Sequence, residues 1–141
     1  MKVRPAPAVA AAVVDRGKVL MVRRRHPPNA DMLALPGGRV EPGETLFEAA
    51  VRELREETGV DAEAQRVLTA IDQIQCDEAG RLLSHFVIVV VECRWTGGRA
   101  MAGDDASDAR WLDAVQLSED AELCASARQI ALELLTVAEF R

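Results

Sequence analysis

Between Gly38 and Val60 the chain reads GRVEPGETLFEAAVRELREETGV. Three glutamates, Glu53, Glu56 and Glu57, fall within about one helical turn of each other. Carboxylates so crowded repel one another unless something cationic offsets them. The segment is also sharply punctuated. Pro36-Gly37-Gly38 reads as a tight turn and Glu41-Pro42-Gly43-Glu44 as a second loop. Thr45 is then the expected N-cap, with Glu48 completing a capping-box pattern, and Gly59 before apolar Val60 has the form of a helix stop. A helix over Leu46–Thr58 follows.

At about 100° per residue, the three glutamates share one sector of that helix. Phe47, Val51 and Leu54 fall on another, expected to face a sheet, and Ala49 and Ala50 lie near the acidic sector, leaving space for a docked group. Oxygen donors of this kind suit a hard divalent cation, Mg²⁺ or Mn²⁺, which shares its remaining positions with water and phosphate. The plainer alternative is a solvated, ion-paired face, since Glu48/Arg52 and Arg52/Glu56 have the right spacing.

At 141 residues a single domain, 1–141, is expected, large enough for a core without staples. The net charge of −6 argues against nucleic-acid binding driven by phosphate neutralisation, though a local metal site is compatible with a small phosphate substrate. Cys76, Cys93 and Cys124 form no CxxC pattern and read as small buried apolar side chains in a reducing cytoplasm. No apolar run is long enough to span a membrane. Lys2 and Arg4 before the Ala/Val-rich stretch 6–14 faintly resemble a signal peptide, but Asp15-Arg16-Gly17-Lys18 and the apolar run after it make a β-hairpin the better reading.

The hairpin is expected over 7–15 and 18–25, followed by a proline loop at 26–30 and a short apolar segment at 32–35. Strands at 67–75 and 82–94 flank Asp77-Glu78-Ala79-Gly80 as a second hairpin, and a short strand is expected near 110–112. Ser118 is read as the cap of a last helix whose apolar stripe runs through Leu123, Ala127, Ile130, Leu134 and Val137. A mixed sheet between helices, an α/β sandwich, is the simplest assembly.

The fixed identities Gly38, Glu44, Arg52-Glu53-Leu54, Glu56-Glu57 and Gly59-Val60, at these offsets, match the Nudix box at every defining position. The chain thus resembles the Nudix hydrolase family, and the flanking order of strands and C-terminal helix is similar over nearly its whole length. The resemblance implies an α/β/α sandwich that hydrolyses a nucleoside diphosphate linked to another moiety with Mg²⁺ or Mn²⁺. It implies that Glu53, Glu56, Glu57 and the Gly38 carbonyl ligate metal, that Glu44 and Arg52 pair to brace them, and that Gly37 and Gly59 provide turn and stop. Glu53 or Glu56 would act as base. A downstream acid, with Asp105 preferred over its neighbours, is the alternative, set against an ordinary polar turn. Arg23 and Arg25, on one face of their strand, would contact phosphate or simply solubilise an edge. His26 and His85 carry no partner pattern, and Trp95 and Trp111 are expected in the core rather than on a base.

Substrate choice lies outside the box. The chain lacks the proline of the dominant ADP-ribose subfamily and has no tyrosine for the diadenosine-polyphosphate pattern. Leu33-Ala34-Leu35-Pro36-Gly37-Gly38 looks more like ADP-sugar or NADH-type members than MutT-type ones. ADP-ribose or a related nucleotide sugar is therefore favoured, with a MutT-like (d)NTP pyrophosphohydrolase as the alternative. A nucleotide-binding regulatory module that has lost catalysis is the rival from another class, and the intact carboxylates oppose it. Family members are often dimers, so a homodimer is left open, with no interface legible.

Overall fold

The computed structural model describes residues 2–26, 30–101 and 106–138. In chain order these form β1 (Ala6–Asp15), β2 (Lys18–Arg24), β3 (Leu33–Ala34), β4 (Gly37–Arg39), α1 (Leu46–Thr58), β5 (Asp61–Cys76), β6 (Leu82–Gly97), β7 (Ala106–Leu112), α2 (Ala114–Glu119) and α3 (Ala125–Ala138). The strands make one mixed sheet in the order β3-β2-β1-β6-β5, with β4 also on β1 and β7 on β2. The first hairpin turns at Arg16 and Gly17, both at positive φ, a twist that suits antiparallel strands.

The Ala/Val-rich stretch forms the central strand of the sheet. β1 runs parallel to β6 from Ala6↔Phe86 to Val13↔Cys93, and Ala8 to Val13 are buried without a break. A strand covered on both faces needs no polar alternation. One core layer lies between the sheet and α3, built on Ala10, Ala12, Met21, Leu33, Ala131 and Leu134. The other lies between the sheet and α1, built on Val9, Ala11, Val13, Leu20, Leu54 and Val60. Leu54 is wholly buried there, and its truncation to Ala would cost about 2–5 kcal/mol.

Several expectations are corrected. Ala49 and Ala50, not Phe47, face the sheet: both are wholly buried, whereas Phe47 is 39% exposed. Small side chains let α1 lie close to β1, and that rotation brings Glu53 and Glu57 to the border of the buried face. Strand β5 starts at Asp61, directly after the helix stop, and pairs with β6 over its whole length despite its polar first residues. Tertiary pairing overrides weak β-propensity there.

Ser118 lies inside α2 and donates to the Ala114 carbonyl at 2.8 Å; Asp113 is the cap, in a capping box with Gln116. Val137 is 45% exposed because a stripe stepping 4, 3, 4, 3 has a 3.5-residue period and drifts on a 3.6-residue helix. The buried face continues instead through Ala131 and Leu135. Cys93 is buried, but Cys76 is exposed and Cys124 half-buried. Trp111 packs against the α1-side core, while Trp95 is 40% exposed and donates its indole N–H to the Gly98 carbonyl. No helix among the described residues is long and apolar enough to cross a membrane.

Candidate active site

Helix α1 is fixed at both ends by its own sequence. The Thr45 hydroxyl accepts the Glu48 N–H at 3.1 Å, and the Glu48 carboxylate accepts the Thr45 N–H at 3.0 Å. At the other end Gly59 takes φ 74°, a left-handed conformation that glycine adopts without a Cβ penalty, and donates to the Arg55 carbonyl. Buried Thr58 donates its hydroxyl to the Leu54 carbonyl and accepts the Val60 N–H. The register of the acidic turn is thereby set from both sides.

Arg52 organises that turn. Its Nε and Nη2 donate to the two Glu44 carboxylate oxygens at 2.6 and 2.8 Å, a fork-to-fork pair. Nη2 also donates to the Arg39 carbonyl at 3.0 Å, and Nη1 donates to Glu53 at 2.8 Å and Glu56 at 3.2 Å. These contacts match all five guanidinium donors. The consequences for charge follow. The Arg52 hydrogen bonds hold the Glu44 carboxyl down to about 2, and Glu44 in turn raises Arg52 above its ordinary value. Loop 41–44, helix α1 and strand β4 are tied to one cation.

Strand β4 forms the other wall. Ala8↔Arg39, Val9↔Gly38 and Ala10↔Gly37 pair it with β1. The Gly37 N–H donates to the Glu57 carboxylate at 3.0 Å. A Cβ added at Gly38 would lie 2.5 Å from the Glu53 carboxyl carbon. At Gly37 a Cβ would collide with the Val9 carbonyl oxygen of β1. Gly38 is thus what lets the Glu53 carboxylate close on β4, and Gly37 is what lets β4 lie against β1.

Glu53 and Glu57 thus lie against β4, and Glu56 is joined to Glu53 through Arg52. The segment has oxygen donors but no thiol or imidazole, a composition compatible with a hard cation. Among the described residues, no three acidic, histidine or cysteine side chains are gathered into a preformed cage. Mg²⁺ does not require one, since it keeps several waters and takes few protein ligands.

Beside Gly37 and Gly38 a cavity of about 250 Å³ opens between the sheet and the start of α3. Ala8 and Ala10 leave its floor low, and Ile71, Gln73, Phe86 and Ser126 are among its walls. Its charged lining residues among those described are Arg24 and Arg39, so it is cationic within a chain of net charge −6. The Arg39 guanidinium lies 5.2 Å from the centre of the Phe86 ring.

The arginines at the end of β2 are placed differently from one another. Arg23 is committed to the protein, donating to the Asp31 carbonyl at 2.8 Å and pairing with Glu122 at 2.7 Å. Arg25 lies past the end of β2, exposed and outside the cavity lining. The ladder with β7 shifts register between Arg23 and Arg24, and Arg24 is the residue of this run that lines the cavity. Asp105 lies outside the described residues. His85 sits on β6 opposite Ile74 and is not among the residues lining the cavity. Gln73, Phe86 and Arg39 were not singled out by sequence reasoning. The one available signal was Gln73, a polar residue two positions after inward-facing Ile71 on the same strand face.

Among known proteins, the chain is 38% identical over 109 residues to an ADP-ribose pyrophosphatase of Methanocaldococcus jannaschii, covering 77% of this chain and 62% of that protein. It is 35% identical over 96 residues to a putative 8-oxo-dGTP diphosphatase of Bacillus subtilis, covering 67% of this chain and 57% of that protein. The chain thus spans under two thirds of the length of these curated relatives. The crystal structure of a MutT NUDIX hydrolase from Burkholderia pseudomallei superposes with a TM-score of 0.75 at 29% identity, covering 92% of this chain and 97% of that one. The NUDIX domain model matches residues 4–134, and the chain belongs to that family.

Proposed function

We propose that this protein is a Mg²⁺- or Mn²⁺-dependent pyrophosphohydrolase that cleaves a nucleoside diphosphate linked to another moiety, with ADP-ribose or a related nucleotide sugar as the preferred substrate class. The observation that carries the reading is the seating of Glu53 and Glu57 against Gly38 and Gly37, with Arg52 bracing Glu44, Glu53 and Glu56. Glu53, Glu56, Glu57 and the Gly38 carbonyl would hold the cation. When bound, it would neutralise charge on the diphosphate and make a water more acidic.

The chain's own residues then have distinct tasks. Glu53 or Glu56 accepts the proton of the attacking water, with Asp105 as the alternative acceptor. Arg52 keeps the carboxylates from splaying apart and holds the loop that carries Glu44. Gly37 and Gly38 keep the strand close enough for the substrate's diphosphate to approach the carboxylates. The arginine-lined cavity beside them receives the organic part of an anionic ligand.

A (d)NTP pyrophosphohydrolase is the second reading, favoured by the relative named as a putative 8-oxo-dGTP diphosphatase. The first rests on the relative named as an ADP-ribose pyrophosphatase, which matches more of this chain. A single domain over 1–141 and a reducing, cytoplasmic setting belong to the same proposal. The test is a panel of nucleotide sugars, dinucleotides and nucleoside triphosphates, with and without Mg²⁺, scored by phosphate release through a coupled phosphatase. ADP-ribose split to AMP and ribose 5-phosphate supports the first reading, and inorganic pyrophosphate from triphosphates supports the second. Metal-dependent nucleotide binding without turnover on any member would instead indicate a regulatory module.

A further inference from the structure

The cavity beside Gly37 and Gly38 is apolar along its floor, yet one uncharged side-chain amide is set into its wall. Gln73 of β5 and Phe86 of β6 are register partners, so the amide and the ring stand side by side on one face of the sheet. Ile71 and Ile88, the next inward-facing pair, extend the apolar surface toward the centre of the sheet. Arg39 lies over the Phe86 ring and is covalently next to Gly38, so it joins this end of the cavity to the acidic turn.

A flat wall beside a neutral amide, with cations at the rim, matches a planar heterocycle attached to an anion. At about 250 Å³ the space is below the usual range for drug-sized ligands and suits one base or nucleoside. A glutamine amide offers one acceptor and two donors in one plane, the pairing that reads adenine's adjacent donor and acceptor.

Resting on the pyrophosphohydrolase reading above, we infer that Gln73 is a specificity-determining residue that reads the edge of the substrate's base, beside Phe86, and selects adenine. This inference concerns which nucleotide is cleaved, and it leaves the assignment of the carboxylates untouched.

The test compares kcat/KM for ADP-, GDP- and UDP-linked sugars in the wild type, Gln73→Leu, Gln73→Glu and Gln75→Leu. Gln75 faces Ser84 farther along the same strand and does not line the cavity. Gln73→Leu should reduce the adenine preference at least about tenfold, through KM and with kcat nearly kept. Gln73→Glu, whose carboxylate only accepts, should shift preference toward guanine, which presents adjacent N–H donors. Gln75→Leu should leave every base ratio as in the wild type, and a changed ratio there would overturn the assignment to Gln73. Equal losses on all bases, or unchanged ratios in the Gln73 variants, would likewise overturn the inference while leaving the hydrolase reading standing. If the wild type turns over no diphosphate-linked substrate at all, the hydrolase reading fails. Base-selective binding, measured by calorimetry with ADP, GDP and UDP, then still decides the role of Gln73 by the same ratios.

Discussion

The Cα of Gly38 faces the Glu53 carboxyl group so closely that a methyl group at residue 38 would stand 2.5 Å from its carbon and from Oε1. The neighbouring Gly37 is crowded by something quite different, the backbone of β1. Two adjacent glycines therefore serve two purposes, one seating a carboxylate and the other seating a strand.

The two alanine variants should separate accordingly. In Gly38→Ala the obstructed atom belongs to the far end of a flexible side chain, so the fold survives and Glu53 is displaced. Turnover should fall at least about tenfold, as for a disturbed metal-site support, with little change in Tm. In Gly37→Ala the Cβ meets backbone that cannot swing aside. Overpacking there should cost about 1–3 kcal/mol in denaturant unfolding.

Arg52→Lys keeps the charge and loses the fork. A lysine ammonium cannot reach both Glu44 oxygens, the Arg39 carbonyl, Glu53 and Glu56 together. Metal affinity or turnover should drop about 10- to 100-fold. Titration of Mn²⁺ binding alongside steady-state kinetics checks it, and a lysine variant with wild-type behaviour in both would remove Arg52 from the bracing role.

Acid unfolding should carry the signature of Glu44. Its folded pKa, about 2, lies below the ordinary 4.5, because Arg52 and the Glu41 N–H hold its charged form. The group's contribution is therefore fully present above about pH 4.5 and is lost as pH falls toward 2. Urea unfolding of the wild type should weaken through that window. Glu44→Gln should be less stable at neutral pH and show a shallower slope between pH 4.5 and 2.

The three thiols should differ sharply in reactivity. Burial pushes the Cys93 thiol up to about 12, and the nearby Glu92 charge adds to the effect. Cys76 is exposed at the end of β5. At pH 8 a maleimide or disulfide reagent should label native Cys76 quickly and Cys93 only after unfolding, as read by intact and peptide mass spectrometry.

What was legible in the residues was the local and the punctuated. Thr45, Glu48 and Gly59 mark helix α1 at both ends because caps act within a few residues. The turn at Arg16-Gly17 is similarly local. The face that α1 presents was legible only in part: Leu54 is buried as expected, but Ala49 and Ala50 join it in place of Phe47, and small side chains against β1 carry little hydrophobic signal. The polar start of β5 reads as a loop until β6 is there to pair with it. The cavity draws Ala8, Ile71, Phe86 and Ser126 from four elements, and only the assembled sheet brings them together. Arg24, rather than Arg23 or Arg25, joins that lining, and which of three successive arginines meets the cavity depends on elements that the run itself does not contain.

Glu56 offers the most direct test of the central claim, that the carboxylates of α1 would hold the divalent cation on which diphosphate hydrolysis depends. Its side chain is 47% exposed and is joined to Arg52 at the weakest of that residue's α1 contacts, 3.2 Å, so Glu56→Gln changes charge without disturbing the core. Measured with Mg²⁺ on the best substrate of the panel, the variant should keep the wild-type Tm and lose about two orders of magnitude or more in kcat. A folded Glu56→Gln protein that turns over at the wild-type rate would contradict the account.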